Sequence, residues 1–581
     1  MPQTSMTVAD FLIVGGGSAG CVLANRLSAL GAEVRLLEAG HDTPPNAIPD
    51  DIADVYPRSY YNEAYTWRGL EADQGAAGTG VKTAFTQARV MGGGSSLMGM
   101  IALRGQPDDY NGWADQGAEG WSWADVLPTF RQLERDLDFD GELHGTDGPV
   151  TIRRTHVDEW PAFCRAVGLA AARRGSSVVE DMNGDFSDGY CPLPLSATPS
   201  SRVSSASAYL DGATRARPNL TIEPNTYVER LLFEGARCVG VSTLQDGVRR
   251  ELRARRVILS AGAVHSPAIL MRSGIGPAEH LESLAIPLIA PLEGVGGNLQ
   301  NHPVVYLATH IVKAARQSPH LRQQFISALR YTSSDGARQQ GDMLLLVVNK
   351  SSWHDLGEAI AGIGVNLIKP FSRGSVRLSS ADPRALPDVR FRMLTDQRDF
   401  DRMVAGLRLA LDLLQDPAVR PLRHELFAAG YSRVVRALNK PGTTNAVVTR
   451  TLAALLDTPD PIRRTLLKYG IASGDIDEGR MREPAWLTKT IRSHAMGTYH
   501  PSGTCRMGRA SDPGAVVDAD CAVHGVEGLS VVDASIMPTV TRGNTNLPVT
   551  MIAEHAAERM TTRSASKAGQ PASAFRPTHG Q

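Results

Sequence analysis

The stretch DFLIVGGGSAGCVLANRLSALGAEVRLLEAG, residues 10–40, decides the fold class. Its apolar run at residues 11–14 predicts a buried strand, and the glycine-rich turn that follows leads into a segment whose apolar residues have helical spacing. A second strand is predicted at residues 33–37. Strand, turn, helix and strand form a right-handed βαβ unit with parallel strands, so the chain is predicted to begin with an α/β domain.

Three glycines in this turn have the GxGxxG spacing: Gly15, Gly17 and Gly20. Gly15 permits the tight turn, Gly17 lets the backbone approach a pyrophosphate, and Gly20 lets helix and strand pack closely. Glu38 follows the second predicted strand, 23 residues after Gly15, where a carboxylate can accept hydrogen bonds from an adenosine ribose. An ordinary glycine-rich turn would not explain the position of this acid. The pattern therefore predicts a dinucleotide site, without separating NAD from FAD.

Length and charge limit the classes of function. A chain of 581 residues exceeds what one hydrophobic core usually fills, so two domains are expected. The 60 basic and 61 acidic residues give a formal net charge of -1, which provides no long-range field that would attract nucleic acid or an anionic membrane. The expected partner is a small molecule.

Cysteine usage and hydropathy indicate the compartment. The six cysteines are scattered without CxxC spacing, which favours neither a zinc site nor a disulfide framework. His494, His500 and Cys505 match no common zinc pattern, so no metal is expected. Because no basic segment precedes an apolar run and no stretch of about 18 apolar residues occurs, no transmembrane segment is expected. These features together predict a soluble, cytoplasmic protein.

Three further segments are rich in glycine and other small residues. They are ARVMGGGSS at residues 88–96, VILSAGAVHSPAILMRSGIG at residues 257–276 and GLSVVDASIMP at residues 528–538. Small residues let the backbone pass close to a flat or anionic group, and ligands of parallel sheets bind at the carboxyl ends of the strands. Such turns, separated by hundreds of residues, fit an extended cofactor better than a local phosphate site.

Several motifs, in the same order along the chain, resemble those of the glucose-methanol-choline (GMC) oxidoreductases. They are ARVMGGGSSLMGMIALRG, GAVHSPAILMRSGIG, VGGNLQNHP, HPSGTCRMG and DASIMPTVTRGNTNLPVTMIAEHAAE. The likeness runs from about residue 9 to residue 560. Within the family, GHDTPP, MGGGSS, LHGTDGPVTIRR and PFSRGSVRLSSADP are most similar to the bacterial 5-(hydroxymethyl)furfural oxidases.

The resemblance implies an α/β fold, α+β overall, with two discontinuous domains. A Rossmann-type FAD-binding domain is expected at residues 1–153, 201–301 and 482–561. A substrate-binding domain, built on an antiparallel sheet covered by helices, is expected at residues 154–200 and 302–481. That sheet would lie over the flavin.

Two segments differ in composition from their surroundings. Apolar runs with helical spacing predict an added helical segment at residues 413–476, with core packing favoured over a membrane-surface contact. Residues 562–581 are short of large aliphatic side chains and rich in Ser, Ala and Pro, which predicts a disordered tail.

The same resemblance implies FAD as the cofactor, with the glycine turn and Asp533 at the pyrophosphate, Glu38 at the ribose and the loop at residues 92–96 along the flavin. The residues implied to bind FAD are Gly15, Gly17, Ser18, Ala19, Glu38, Ala39, Trp67, Val90, Gly92, Gly93, Ser95, Met98, Val228, Ala261, Asp533, Ala534, Asn546 and Pro548.

The chain departs from the family pattern at three positions. Met98 stands where most members have an asparagine, which removes one polar contact near the flavin. Leu97 stands where some relatives attach FAD to a histidine, so non-covalent FAD is expected. Asn301 replaces an aspartate, with a structural consequence expected. His265 and His302 also lie in family motifs and are interpreted as packing residues.

His500 is the candidate catalytic base. Oxidation of an alcohol by a flavin removes a hydride from the carbinol carbon and a proton from the hydroxyl group, and the protein must accept the proton. A neutral imidazole, with a pKa near about 6.5, suits that role. By resemblance, Asn544 lies beside His500 and binds the same substrate oxygen, and Tyr499 lines the substrate pocket. The alternative interpretation is that His500 only caps a turn before Pro501.

The sequence therefore predicts FAD-dependent oxidation of primary alcohols, aromatic or furanic, to aldehydes and onward to acids through the hydrated aldehyde. The electron acceptor is oxygen in an oxidase, which is favoured, or another acceptor in a dehydrogenase. A lyase on the same scaffold is a further alternative, because fold does not fix reaction. A flavoprotein without catalysis is the least favoured, because His500 and Asn544 are both present.

Overall fold

Two large β-sheets and the helices packed on them dominate the structure, which is a computed structural model. It describes residues 8–75, 82–334, 339–430, 433–472 and 476–567. Among these residues, no helix has the length and apolar character needed to span a membrane.

The strands are, in chain order, β1 (Ala9–Val14), β2 (Val34–Leu37), β3 (Glu71–Asp73), β4 (Lys82–Ala84), β5 (Glu134–Asp136), β6 (Val150–Arg153), β7 (Gly189–Pro192), β8 (Leu195–Ser196), β9 (Leu220–Glu223), β10 (Tyr227–Glu234), β11 (Arg237–Gln245), β12 (Val248–Leu259), β13 (Ile275–Gly276), β14 (Ala290–Pro291), β15 (Pro303–Ile311), β16 (Phe325–Tyr331), β17 (Met343–Val348), β18 (Ile360–Leu367), β19 (Ser375–Arg377), β20 (Asp388–Arg390), β21 (Arg423–Ala429), β22 (Met496–Gly497) and β23 (Leu529–Val531).

The α-helices are α1 (Ser18–Ala29), α2 (Asp50–Ala53), α3 (Pro107–Asp115), α4 (Trp123–Leu133), α5 (Ala162–Ala172), α6 (Ser205–Tyr209), α7 (Gly212–Arg215), α8 (Gly262–Arg272), α9 (Ala278–Ser283), α10 (Asp355–Glu358), α11 (Gln397–Leu414), α12 (Arg433–Leu438), α13 (Thr443–Leu456), α14 (Asp460–Leu466), α15 (Pro484–His494) and α16 (Asn546–Lys567).

The first large sheet contains the βαβ unit that the sequence predicts. β1 pairs in parallel with β2 on one side and with β12 on the other, and β9 extends the sheet beyond β2. α1 connects β1 to β2 and buries most of its side chains against the sheet and α16. Strands covered on both faces are nearly all apolar, which is why residues 11–14 form a continuous hydrophobic run.

β12 pairs with different strands along its length. Its first half pairs antiparallel with β11, up to the pair Gly240 and Arg253. Its second half pairs in parallel with β1 and, from the pair Val257 and Leu529, with β23. Because β11 has left β12 by this point, the edge is available to a strand from the end of the chain. The carboxyl ends of β1, β2, β12 and β23 consequently share one edge of the sheet.

The second large sheet is antiparallel, with the strand order β21, β15, β18, β17, β16 and β7, and with β22 beside β15. Its two faces are distinct because side chains alternate along each strand. On one face, Val305, Leu345 and Val365 join a hydrophobic core that includes α5 and α11. The opposite face carries the alternate residues, among them Val304 and Leu344, which line a cavity.

The prediction of a helical segment at residues 413–476 is wrong for part of that range. β21 lies inside it and forms an edge strand paired with β15. The residues RHELFAA carry no strong strand pattern, and pairing with the open edge of β15 decides their conformation. The rest of the segment contains α12, α13 and α14, which pack over Ala308, Ile360 and Phe427 at that end of the sheet.

The predicted domain division stays a prediction. β7, from residues 154–200, pairs with β16, and β22, from residues 482–561, pairs with β15, so both contribute to the antiparallel sheet. α16 extends to Lys567 and therefore includes the first residues of the predicted tail, whereas residues 568–581 lie outside the described residues.

A buried cluster of charged side chains joins the short sheet of β5, β6 and β8 to its surroundings. His144 lies 3.0 Å from Glu134 through Nδ1 and 2.8 Å from Asp181 through Nε2. Arg104 pairs with Glu134, and Arg154 donates to Asp136 over 2.8 Å. Of the residues that the structure describes, Glu134, Asp136 and His144 are the one group close enough together to hold a metal ion. The two guanidinium groups already neutralise these carboxylates, so we interpret the cluster as an ion-pair network.

Replacing His144 with alanine is expected to lower the free energy of unfolding by about 3 kcal/mol, because buried carboxylates lose a charged partner. Burial opposes protonation of His144, but the hydrogen bonds that its ring donates to Asp136, Asp181 and Glu134 outweigh burial and raise its pKa to about 10. The stabilisation is therefore complete below the unfolded pKa of about 6.5 and is lost as the pH rises toward 10.

Urea unfolding of both proteins at several pH values measures this effect. His156→Ala is the matched control, since that side chain is 69% exposed and lies 3.6 Å from Asp138. An equal stability difference at pH 6 and pH 10 would contradict a charged His144.

Candidate functional site

Turns at the carboxyl edge of the first sheet line one cavity. Gly15 has a φ of +103°, and a Cβ there would lie 2.5 Å from the carbonyl oxygen of Ser260. A Cβ on Gly20 would lie 1.9 Å from the carbonyl oxygen of Gly15. At Gly15 and Gly20 the backbone segments are therefore so close together that any residue with a Cβ would clash with a backbone carbonyl oxygen.

Glu38 directly follows β2 and is hydrogen-bonded to the glycine turn. Its carboxylate accepts the backbone N–H groups of Gly16 and Gly40, each over 2.8 Å. Burial raises the pKa of Glu38, and these two hydrogen bonds oppose the rise. The side chain is thereby held at the cavity wall beside the end of β2.

Asp533 takes the equivalent position after β23. It accepts hydrogen bonds from the Gly262 N–H over 2.8 Å, from the Ser266 hydroxyl over 2.6 Å and from the Ser535 N–H over 2.8 Å. Burial raises its pKa against these contacts. Asp533 therefore ties β23 to the start of α8, and both elements border the cavity.

The N-terminus of α1 fits the pyrophosphate of a dinucleotide. Gly17, the residue before the helix, makes no side-chain cap, and Gly17, Ser18 and Ala19 line the cavity. The first N–H groups of a helix lack partners within the helix, and the helix dipole is positive at this end. A Cβ on Gly17 would lie 3.9 Å from the Ser260 carbonyl oxygen, an ordinary van der Waals contact, so the protein itself does not crowd this position. This is a cradle for an anionic ligand.

Most of the predicted cofactor residues line this cavity. They are Gly15, Gly17, Ser18, Ala19, Glu38, Ala39, Trp67, Val90, Gly93, Ser95, Met98, Val228, Ala261, Asp533, Ala534 and Asn546. Gly92 and Pro548 are not among the lining residues. Gly92 instead forms a left-handed turn against Ser96 and Ala206, and Pro548 lies in the first turn of α16.

An aromatic cluster borders the cavity around Trp67, which was predicted to bind the cofactor, while the other members of the cluster were missed by sequence reasoning. His265, interpreted as a packing residue, lines the cavity and packs on Trp67 with ring centroids 4.2 Å apart. Tyr227 meets the other edge of Trp67, and the Arg89 guanidinium lies 5.1 Å from the Trp67 ring. Flat rings and a cation are suited to stacking on the aromatic base of a nucleotide. These residues are far apart in the sequence, so no local sequence pattern predicts that they form a cluster.

His500 and Asn544 lie together in the wall of the same cavity. The Asn544 amide nitrogen is 3.1 Å from His500 Nε2. His500 Nδ1 lies 2.9 Å from the Thr498 hydroxyl oxygen and 3.0 Å from His302 Nδ1. The His500 N–H donates to the side-chain oxygen of Asn301 over 3.0 Å. The imidazole ring of His500 is thus contacted at both nitrogens, and its backbone N–H is also hydrogen-bonded.

From these contacts we assign the proton of the neutral His500 ring to Nδ1. The Thr498 hydroxyl donates to the backbone carbonyl of His302 over 3.2 Å, so its oxygen is left to accept from His500 Nδ1–H. In a neutral imidazole the other nitrogen is then an acceptor. His500 Nε2 therefore presents a lone pair toward Asn544 and the cavity, which is the arrangement that a base requires.

Burial lowers the pKa of His500 to about 4, so the ring is neutral at physiological pH. Burial also holds the pKa of His302 well below its usual range, and the neighbouring His500 adds to that effect. His302 was interpreted as a packing residue, and Asn301 as structural, but both contact His500 directly. The adjacency of these residues in the NLQNHP motif was the available signal.

A second cavity of about 130 Å³ meets the first at His500. Tyr499, His500, Asn544 and Met98 line both cavities. The walls of the second are aromatic or aliphatic, from Tyr60, Tyr61, Tyr306, Phe325, Leu344 and Leu346, with the amides of Gln324 and Asn366 among them. No described residue that lines it is an Asp, Glu, Lys or Arg. The Tyr60 and Tyr499 hydroxyl groups lie 2.5 Å apart at its edge.

A dinucleotide-type sheet that shares a cavity with a buried histidine and amide is typical of a dinucleotide-dependent oxidoreductase. The comparisons with known proteins agree with this class. The chain belongs to the GMC oxidoreductase family: residues 9–304 match its N-terminal domain and residues 370–553 its C-terminal domain. It is therefore an FAD-binding oxidoreductase that acts on alcohols.

Relatives cover nearly the whole chain. It is 38% identical to the 5-(hydroxymethyl)furfural oxidase of Methylovorus sp. strain MP688, over 96% of this chain and 99% of that protein. It is 35% identical to the oxygen-dependent choline dehydrogenase of Pseudomonas fluorescens strain Pf-5, over 95% and 94% respectively. The crystal structure of pyridoxine 4-oxidase from Mesorbium loti superposes with a TM-score of 0.77 at 28% identity, covering 95% of this chain and 99% of that one.

Proposed function

We propose that the protein oxidises uncharged primary alcohols with an aromatic or furanic ring to aldehydes, with His500 as the catalytic base. The observation that carries this proposal is the position of His500 Nε2, which lies 3.1 Å from the Asn544 amide nitrogen where the two cavities meet. FAD, when bound, supplies the hydride acceptor. Every other part of the chemistry falls to side chains of this chain.

The substrate hydroxyl group would lie between His500 and Asn544. Its proton is taken by His500 Nε2, and its oxygen accepts a hydrogen bond from the Asn544 amide as negative charge develops on it. Thr498 keeps the ring in the tautomer that can accept the proton. The hydroxyl group of a hydrated aldehyde offers the same two contacts, so the same residues serve a second oxidation to the acid.

The lining of the second cavity supports the substrate class. A ring can pack against Tyr60, Tyr306 and Phe325, and these walls bury apolar surface without leaving a charge unpaired. A cationic alcohol such as choline would find aromatic faces but no carboxylate among the described lining residues. We therefore propose a neutral substrate, in keeping with the name of the 38% identical relative rather than that of the choline dehydrogenases.

We also propose that FAD is held without a covalent bond. Leu97, at the position of the covalent attachment in some relatives, has no nucleophilic atom and is fully buried beside Val90. The six cysteines are buried, and none of them lines either cavity. The contacts of the glycine turn and α1 are then what holds the cofactor.

Anaerobic mixing of the holoenzyme with benzyl and furfuryl alcohol tests the proposed function. Bleaching of the flavin absorbance supports oxidation of the alcohol, and recovery of the absorbance in air with formation of hydrogen peroxide supports oxygen as the acceptor. A flavin that bleaches and stays reduced in air would identify a dehydrogenase. A flavin that never bleaches with any alcohol would overturn the proposal and leave a lyase as the candidate.

The pH dependence of flavin reduction tests the protonation state of His500. Because burial lowers its pKa to about 4, the base is neutral above that pH. We expect the rate constant at saturating alcohol to be constant between about pH 5 and 8, and to fall about tenfold per pH unit below pH 4. Stopped-flow reduction across this range measures it. A midpoint near pH 6.5 would mean that His500 is less desolvated than the structure indicates.

A further inference from the structure

A third cavity, which we call the side chamber, lies under the helical part of residues 433–472. It has a volume of about 150 Å³ and is enclosed by residues of β15, β18 and β21, by α10 and by α12. Apolar side chains form most of its wall, including Leu356, Ile360, Phe427 and Leu438. No residue of the side chamber belongs to the cofactor cavity, so the FAD-binding chemistry does not account for it.

The side chamber adjoins the substrate cavity. Tyr306 and Gln324 line both of them and form their shared wall. Along β15, Val304 lines the substrate cavity, Tyr306 lines both, and Ala308 lines the side chamber. Alternate residues of a strand share one face, so Val304 and Ala308 are about 13 Å apart along one continuous surface.

A glycine on the neighbouring strand makes room for the ring in this wall. Gly364 pairs with Tyr306, and a Cβ on Gly364 would lie 2.5 Å from the Tyr306 ring. The ring therefore lies flat across β18 instead of standing up from the sheet. Tyr306 and Gln324 are the residues that line both spaces, so an elongated ligand passing from the substrate cavity would have to displace these side chains.

The polar groups of the side chamber are paired with one another. The Asn439 side-chain oxygen accepts from the Ser352 hydroxyl and lies 3.0 Å from His354 Nε2, while His354 Nδ1 accepts the Gly357 N–H over 3.2 Å. Burial lowers the pKa of His354. None of the described lining residues is an Asp, Glu, Lys or Arg. The side chamber thus offers a neutral, mainly apolar surface with few open hydrogen-bonding groups.

We propose that the side chamber is a tail subsite for the substrate: it binds the alkyl or aryl substituent of uncharged primary alcohols whose reacting end lies at His500. This inference rests on the proposed function, and it extends the substrate class from small furanic and benzylic alcohols to those with an apolar chain on the far side of the ring. An extended alkyl chain of about ten bonds spans the distance from Val304 to Ala308.

Two alcohols that differ only in their tails test the subsite: para-octyloxybenzyl alcohol and para-methoxybenzyl alcohol. The measured quantity is the ratio of their kcat/KM values, long over short. Ala308→Phe places a ring inside the side chamber and is expected to lower this ratio at least about tenfold, since the buried tail loses its site. Ala308→Leu is the milder second variant in case the larger ring prevents folding.

Ala437→Phe is the matched control. Ala437 lies on α12, the helix that covers the side chamber, but it is exposed to solvent on the outside. The ratio should match that of the wild type in this variant. Equal ratios in the Ala308 variants, Ala437→Phe and the wild type would overturn the subsite. Absence of flavin reduction by the short alcohol would instead overturn the proposed function, so the two failures are distinct.

Discussion

Replacement of His500 with alanine is expected to leave FAD bound and to slow flavin reduction by alcohol at least about a hundredfold. The variant keeps the cofactor because the substitution leaves the glycine turn, Glu38 and Asp533 unchanged in the cavity wall. It loses rate because no other acceptor takes the position of His500 Nε2. The Asn544 amide is not basic enough to accept the proton. His302 contacts His500 at Nδ1, whereas Asn544 lies beside Nε2, so His302 is on the other side of the ring.

Anaerobic stopped-flow reduction measures the rate, and acid precipitation followed by the absorbance of the supernatant measures bound, non-covalent FAD. His320→Ala is the matched control, because it removes an exposed histidine that lines neither cavity. Reduction of the His500 variant at nearly the wild-type rate would show that the residue only caps the turn before Pro501.

Replacement of Gly20 with alanine is expected to have the largest effect on the holoenzyme. The new Cβ would lie 1.9 Å from the Gly15 carbonyl oxygen, which belongs to the backbone and cannot move without opening the turn. α1 must then shift away from β1, and the cradle at its N-terminus shifts with it. We expect a loss of about 3 kcal/mol in the free energy of unfolding and at least about a hundredfold weaker binding of FAD.

Titration of the apoprotein with FAD and thermal unfolding of the holoprotein measure these two quantities. Gly112→Ala is the control, because a Cβ there meets no atom within 4 Å. Gly112 lies inside α3, where alanine is favoured over glycine by up to about 1 kcal/mol, so the control should be as stable as the wild type or more so. Wild-type FAD binding by the Gly20 variant would mean that α1 and β1 are packed less closely.

None of the described residues that line the proposed substrate cavity carries a carboxylate, so a cationic alcohol would find no counter-charge there. A buried cation without a counter-charge costs several kcal/mol, and aromatic faces recover only part of this. The same reasoning applies to the side chamber, whose polar groups satisfy one another. We therefore propose neutral ring alcohols, with or without an apolar tail, as the substrates, because they would bring no unpaired charge into these two spaces.

The sequence by itself determined the βαβ unit, the dinucleotide fingerprint and the family. Each depends on residues close together in the chain, where the steric needs of a turn or the period of a strand act locally. The glycines at positions 15, 17 and 20 were predicted to allow close approach of the backbone to its neighbours. The structure confirms such close backbone contacts at positions 15 and 20. His500 and Asn544 were paired by resemblance, and the structure places them 3.1 Å apart.

Only the tertiary structure decided the features that depend on distant segments. β21 was interpreted as helical because it lies among apolar runs with helical spacing, and pairing with the open edge of β15 made it a strand. The contact of His302 with His500 joins residues 198 positions apart, and with Thr498 it fixes the tautomer of the base. The shared wall at Tyr306 depends on Gly364 of the neighbouring strand. Such contacts follow from how the two sheets pack, because side chains far apart in the chain meet only after the backbone has folded.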